Sequence, residues 1–179
     1  MSALSTRPDP SLLQRKAADP SASVWVSASA GSGKTKVLTD RVLSLLLDGI
    51  RPERILCLTF TKAAAAEMSV RISRQLSRWA TVEDGTLHAL LTDLTGDAPT
   101  EEITRRARQL FAHVLDVPGG LKIQTIHAFC QSLLGRFPIE AGLAPHFEVI
   151  DERSAAELVD GARDVVLRRS QKDSELGRA

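Results

Sequence analysis

Residues 27–38 read SASAGSGKTKVL and follow the apolar run VWV at positions 24–26. Glycines allow successive backbone N–H groups to converge on phosphate oxygens without interference from a Cβ, and the start of a following helix adds its dipole. The Lys34 ammonium would reach the outer phosphates, and the Thr35 hydroxyl would ligate Mg²⁺. The stretch therefore predicts a phosphate-binding loop between a strand and a helix.

The predicted nucleotide-binding set covers the loop and the first turn of the helix after it. Lys34 and Thr35 would be catalytic, and Thr35 would also be the metal ligand. Ala28 stands where the usual pattern has a glycine, which is a mild departure because a small residue suffices there. The set comprises Ala28, Ser29, Ala30, Gly31, Ser32, Gly33, Lys34, Thr35 and Lys36.

Composition indicates an ordinary globular protein. Of the 179 residues, 43% are apolar and 25% are charged, and the formal net charge of +1 does not by itself indicate a nucleic-acid partner. Cys57 and Cys130 lie in apolar segments without a CxxC or a nearby histidine pair, so we expect buried thiols in a reducing compartment. No signal peptide and no run of 18 apolar residues is present. We therefore expect a cytoplasmic protein without a membrane partner.

The hydrophobic pattern alternates between strand and helix. Strands are predicted at residues 24–29, 55–60 and 121–126, and helices at 12–18, 35–48, 63–79, 86–94, 101–115, 127–137 and 154–169. Such alternation favours an α/β fold with a parallel sheet and right-handed crossovers. A helical excursion separates the second strand from the third, and the C-terminal segment is helical.

Three segments together resemble superfamily 1 helicases of the UvrD type. The form AxxGxGKT at 28–35 is similar to their phosphate loop, TFTKAAAAEM at 59–68 resembles their motif Ia, and IQTIHAFCQSLL at 123–134 resembles their motif Ib. With RFPIEAGLAPHFEVIDE at 136–152, the likeness covers nearly the whole chain and is strongest to helicase–nuclease subunits of the AddA type. The resemblance implies a RecA-like P-loop NTPase fold.

The resemblance also implies ligands and site residues. It implies ATP and Mg²⁺ as cofactors, DNA as substrate, an AddB-type partner, and 3′-to-5′ unwinding in double-strand break repair by recombination. Gln14 would contact adenine. The single-stranded DNA path would be lined by Phe60, Thr61, Lys62, Thr125 and His127. These five residues follow or end predicted parallel strands, at the sheet edge where ligands bind, and an aromatic ring there can stack on a base.

Each of these roles has a plainer alternative. Phe60 would be a core residue, His127 a helix cap, Lys62 a solvated charge and Gln14 a chance match. FEVIDE at 147–152 superficially resembles the acidic strand that completes a magnesium site. We do not expect it to serve, because it is short and interrupted by Glu148, whereas a central parallel strand is continuously apolar.

The resemblance further implies that the second RecA-like domain, the arginine finger and the nuclease lie outside these 179 residues. We expect an N-terminal piece of a longer helicase that binds nucleotide weakly and unwinds nothing alone. Its predicted divisions are 1–22 for the N-terminal segment, 23–150 for the ATP-binding part and 151–179 for the start of a helical insertion. Two other classes stay open: a small P-loop kinase with Arg105, Arg106 and Arg108 in a phosphate-gripping lid, and a non-enzymatic single-stranded DNA-binding module.

Overall fold

The computed structural model describes residues 10–27, 29, 31 and 33–170. In this part of the chain the helices are α1 (Pro10–Ala18), α2 (Lys34–Leu47), α3 (Lys62–Thr81), α4 (Asp84–Thr95), α5 (Glu101–Leu115), α6 (Ile126–Arg136) and α7 (Glu152–Ser170). The strands are β1 (Leu56–Thr59) and β2 (Lys122–Thr125), and a short 3-10 helix, Pro52–Arg54, precedes β1. The predicted helices and the second and third predicted strands are confirmed, with ends close to those expected.

The predicted strand at 24–29 is wrong for the residues that the structure describes. Residues 23–27 and 29 have no regular structure, and Trp25 is 93% exposed. A buried parallel strand needs hydrogen-bonded neighbours, and β1 and β2 pair with each other in a two-stranded sheet that does not include this segment. An apolar run therefore does not form a strand here without a partner edge.

The two strands pair in parallel, with Leu56 opposite Lys122 and Thr59 opposite Thr125. A parallel pair requires a long crossover, which α3, α4 and α5 supply. Because the register aligns the last residues of both strands, the segments that follow β1 and β2 leave the sheet at the same edge.

Helix α3 supplies the central stripe of the core. Its buried residues recur every three or four positions, which places them on one face of the helix, and they are Ala65, Met68, Ile72, Leu76 and Trp79. They cluster with buried leucines of α2 and α4, including Leu43, Leu46, Leu87 and Leu91, and with Ala107 and Leu110 of α5. Each fully buried leucine or isoleucine side chain contributes about 1.5–3 kcal/mol, so this stripe joins the four helices.

Two compact units are distinguished by their internal contacts, Met1–Cys130 and Gln131–Ala179. The predicted domain division after residue 150 stays a prediction. In the second unit, the guanidinium carbon of Arg136 lies 5.8 Å from the centre of the Phe137 ring. Residues 147–150, the first part of FEVIDE, form no strand. No helix in the described ranges has the length and apolar character needed to cross a membrane.

Candidate functional site

The glycine-rich loop ends in a backbone turn that only glycine adopts readily. Gly31 has φ 79°, and Gly33 has φ 87° and ψ 15° in the left-handed region. Gly33 is the N-cap of α2, and its carbonyl accepts the first helical hydrogen bond from the Val37 N–H at 3.0 Å. Ala28, Ala30 and Ser32 of the predicted set lie outside the described residues. The N–H groups of the first turn of α2 therefore open directly onto the loop, as anion binding requires.

Lys34 is the first residue of α2, and its ammonium reaches back across the loop. The Lys34 Nζ donates to the Ser29 carbonyl oxygen at 2.6 Å. This contact joins two residues of the predicted set. It also places a positive charge over the same loop that the helix N-terminus faces, so backbone donors and a cation converge there.

The other two predicted residues on the first turn differ in their surroundings. Thr35 is half-buried, and its carbonyl accepts from the Thr39 hydroxyl at 2.8 Å. The Thr35 hydroxyl makes no hydrogen bond to another described residue, which leaves its oxygen available to a ligand. Lys36 is exposed, and its Nζ pairs with an Asp40 carboxylate oxygen at 2.6 Å, so its ammonium is directed along the helix.

Gln14 lies against the loop. Its Nε2 is 3.0 Å from the point where a Cβ on Gly33 would stand. The segment that follows α1 is held to α2 by Arg41, whose guanidinium donates to the Asp19 carbonyl at 2.5 Å and the Ala22 carbonyl at 2.7 Å. The sequence contained no signal for Arg41, because its partners lie about twenty residues away in the chain. This anchor ties the segment next to α1, the helix that carries the half-buried Gln14, to α2.

A second magnesium ligand is not apparent in the described part of the chain. No group of three histidine, cysteine or acidic side chains there could hold a metal ion. Asp151, the discounted candidate, instead accepts a hydrogen bond from the Ser154 N–H at 2.7 Å in the first turn of α7. That bond, with the Ser154 hydroxyl, lowers the pKa of the Asp151 carboxyl. Asp151 is therefore a helix cap.

The carboxyl edge of the sheet collects the residues predicted to line a DNA path. Phe60 follows β1 directly and is 86% exposed, so it is not a core residue. Thr61 is the N-cap of α3, where its hydroxyl oxygen accepts from the Ala64 N–H at 3.1 Å. Lys62 is exposed at the first residue of α3. An exposed ring therefore stands beside a helix N-terminus and an ammonium.

Thr125 and His127 lie at the same edge after β2. The Thr125 side chain is buried, and its hydroxyl oxygen accepts from the Ala128 N–H at 3.1 Å, so Thr125 caps the start of α6. His127 is exposed on the first turn of α6. The capping role considered for His127 is thus filled by Thr125, and the imidazole is left facing solvent.

The arginines of α5 do not form a free lid. Arg106 donates to the Leu47 carbonyl at 2.6 Å, and Arg108 donates to the Trp79 carbonyl at 2.9 Å and to Asp84 at 2.6 Å. These bonds fix α5 to the last turns of α2 and α3 and to the first residue of α4. The structure therefore gives Arg106 and Arg108 a packing role, and of the three arginines in the predicted kinase lid only Arg105 is exposed.

Comparison with protein families finds a match to the UvrD/REP helicase N-terminal domain over residues 11–177. The matched range includes Gln14, the phosphate loop and the segments after β1 and β2.

Curated relatives match most of this chain. It is 36% identical over 149 residues to an ATP-dependent helicase/nuclease subunit of Pelotomaculum thermopropionicum, covering 82% of this chain and 10% of that protein. It is 37% identical over 136 residues to the protein of the same name from Lactobacillus gasseri, covering 76% of this chain and 10% of that protein. It is 32% identical over 147 residues to the protein of that name from Heliobacterium modesticaldum, covering 82% of this chain and 9% of that protein. The chain thus spans about a tenth of the length of these relatives.

Proposed function

Because the chain belongs to the UvrD/REP helicase N-terminal domain family, we propose that it forms the ATP-binding N-terminal part of an ATP-dependent DNA helicase. Relatives named as ATP-dependent helicase/nuclease subunits support a helicase–nuclease. The 3′-to-5′ direction of unwinding and the role in double-strand break repair by recombination enter this proposal through the resemblance of the motifs alone. A RecA-like arrangement of the complete sheet and an AddB-type partner belong to the same proposal. The observation that carries it is the convergence of Gln14, Gly33 and Lys34 on one loop.

Nucleotide binding follows from the chemistry of that loop. Positive φ at Gly31 and Gly33 lets backbone N–H groups turn toward an anion, and the α2 N-terminus adds partial positive charge. Lys34 would exchange its bond to the Ser29 carbonyl for the outer phosphates of ATP. Gln14 carries a carboxamide, which can both donate to and accept from an adenine edge. The loop would hold the phosphates while Gln14 selects the base.

The residues at the loop also fit a magnesium ion on one side. The Thr35 hydroxyl has no hydrogen-bond partner among the described residues. Its oxygen is a hard ligand of the kind that Mg²⁺ prefers. When bound, Mg²⁺ neutralises charge that develops on the phosphates. Within this chain, Thr35 would hold the ion and Lys34 would share the phosphate charge.

The sheet edge supports a path for single-stranded DNA. Phe60 offers a ring on which a base can stack, a contact worth about 1–3 kcal/mol per base and tolerant of sequence. Lys62 and His127 would contact backbone phosphates without reading sequence. Thr61 and Thr125 would stabilise this edge of the sheet, because their hydroxyls cap the two helices that begin there.

The decisive test is ATP hydrolysis by the full-length protein with and without single-stranded DNA. We expect stimulation by DNA, and loss of hydrolysis in Lys34→Ala with DNA binding largely retained. Lys122→Ala is the matched control, because Lys122 is exposed at the opposite, amino end of β2. Stimulation by a small phosphate acceptor instead of DNA would favour a kinase, and unaltered activity in Lys34→Ala would favour a non-enzymatic DNA-binding module.

A further inference from the structure

A concave surface lies where α2, α3 and α4 meet. This groove has a cavity volume of about 370 Å³ and is lined by one stripe of residues from each helix. Leu43 and Trp79 are almost fully buried and form its floor. None of the residues assigned above to nucleotide binding faces it except Lys36, so the groove is separate from the phosphate loop.

Cations outnumber carboxylates around the groove by four to two. The charged lining residues are Lys36, Arg71, Arg74, Arg78, Asp40 and Asp93. Two of the cations are already neutralised: Lys36 pairs with Asp40 at 2.6 Å, and Arg71 pairs with Glu67 of α3 at 2.6 Å. Among the described lining residues, the positive charge that is left belongs to Arg74 and Arg78, with Asp93 as the unpaired carboxylate beside them.

Arg74 and Arg78 differ from the arginines that hold the fold together. Arg106 and Arg108 each reach a backbone carbonyl and a carboxylate. The side chains of Arg74 and Arg78 are exposed and make no hydrogen bond or ion pair to another described residue. They stand one turn apart on α3, with an axial rise of about 6 Å between them. Two unengaged guanidinium forks therefore face the same concave surface.

Trp79, one of the lining residues, also has an unused donor. The indole Nε1 of Trp79 is buried and has no hydrogen-bond partner among the described residues. A buried donor without an acceptor costs about 1–3 kcal/mol, which is uncommon in a native core. Of these groups, the guanidinium groups of Arg74 and Arg78 are exposed at the groove and lack an acceptor within the described ranges.

We propose that this groove binds backbone phosphates of nucleic acid, with Arg74 and Arg78 as the phosphate ligands. Guanidinium groups bind phosphate oxygens in a bidentate fork and bind them regardless of base sequence. The inference rests on the proposed function, since it extends the DNA path from the sheet edge. Helix α3 begins at that edge with Lys62, and Arg74 lies about 18 Å further along the same helix. A strand of several nucleotides is long enough to contact both surfaces.

The test is the salt dependence of DNA binding by the 179-residue chain, measured by fluorescence anisotropy with a labelled oligothymidylate and a labelled duplex. In Arg74→Ala/Arg78→Ala, we expect affinity at low salt to fall about tenfold or more, because two charge-assisted contacts are lost. The slope of log affinity against log salt should become shallower by about 1.4 for the single strand. Arg74→Lys/Arg78→Lys keeps both charges and should keep the slope.

Arg54→Ala is the matched control, because Arg54 is an exposed arginine away from the groove. Circular dichroism and urea unfolding of each variant show whether the fold is intact. An unchanged slope in the double alanine variant would overturn the inference, as would an equal loss in Arg54→Ala. Neither result bears on ATP binding by the phosphate loop. Conversely, a parent chain that does not bind ATP would contradict the proposed function, and the salt dependence of DNA binding would still test the groove.

A second measurement separates nucleic acid from a free anion. The chain has two tryptophans, so Trp25→Phe leaves Trp79 as the single indole. We expect its emission to change on adding oligothymidylate and not on adding inorganic phosphate at the same phosphate concentration. If Trp79 emission changes saturably with inorganic phosphate and does not change with oligothymidylate, the groove binds a free anion and the proposal is wrong.

Discussion

The side-chain nitrogen of Gln14 lies 3.0 Å from the position that a Cβ on Gly33 would occupy. Two segments separated by nearly twenty residues thus meet at the N-terminus of α2, one supplying a carboxamide and the other a backbone turn. The absence of a side chain at Gly33 has two effects: it permits φ 87° and it leaves room for Gln14.

Gly33→Ala and Gly31→Ala separate these two roles. Both glycines have positive φ, so each substitution should lower the free energy of unfolding by about 1–2 kcal/mol. Only Gly33→Ala also displaces Gln14, because nothing lies within 4 Å of a Cβ on Gly31. Gly33→Ala should therefore be the more destabilising, and the difference should vanish in a Gln14→Ala background. Urea unfolding of both glycine variants in each background checks this, and a difference that persists without Gln14 would contradict it.

Phe60 and Thr61 are neighbours with opposite expected phenotypes. Phe60→Ala should leave stability within about 0.5 kcal/mol, because the ring is exposed, and should weaken single-stranded DNA binding by about 1–3 kcal/mol. Thr61→Ala should cost about 1 kcal/mol of stability through loss of the α3 cap. Thermal unfolding and anisotropy measure the two effects. Phe60→Trp and Thr61→Ser are the conservative controls, and a destabilised Phe60→Ala would mean that the ring packs in the core.

Arg108 should behave as a structural residue. Arg108→Ala removes the donor to the Trp79 carbonyl and the bond to Asp84, so the free energy of unfolding should fall by about 1–3 kcal/mol. Arg105 is exposed on the same helix, and Arg105→Ala should change stability by less than about 0.5 kcal/mol. Equal stabilities of the two variants in urea unfolding would contradict a structural role for Arg108.

The two cysteines should differ in reactivity. Cys57 is half-buried in β1, and burial raises the pKa of its thiol above the ordinary value of 9.0. Cys130 is exposed, so the expectation of a buried thiol is wrong for this residue. Alkylation by iodoacetamide near neutral pH should therefore modify Cys130 first, since the thiolate is the reactive form. Peptide mapping by mass spectrometry gives the two rates. Faster modification of Cys57 would contradict its burial.

The same pKa has a consequence for stability. The Cys57 thiol loses its proton at lower pH in the unfolded chain than in the folded chain. Its contribution to the free energy of unfolding is therefore complete below pH 9.0 and is lost as the pH rises through the raised pKa of the folded state. Cys57→Ala should remove this part of the alkaline dependence, which urea unfolding across alkaline pH would measure.

Local pattern was sufficient for most of the elements. Apolar residues at three- and four-residue spacing on α3, and the threonine before α5, predicted helices close to their observed ends, because helix periodicity and capping depend on neighbours in sequence. The motifs around the phosphate loop predicted the family that the comparison then showed. Both predictions rest on short stretches whose residue types and spacing are sufficient to identify the helix or the motif.

Tertiary structure decided what depends on distant partners. The run VWV at 24–26 has strand character, yet it forms no strand, because pairing requires a neighbouring edge that local pattern does not specify. The contact of Gln14 with the loop and the anchoring of α5 by Arg106 and Arg108 join residues that are far apart in the chain. Contacts of this kind depend on where helices pack, so the sequence identified the residues and packing determined which of them became caps or anchors.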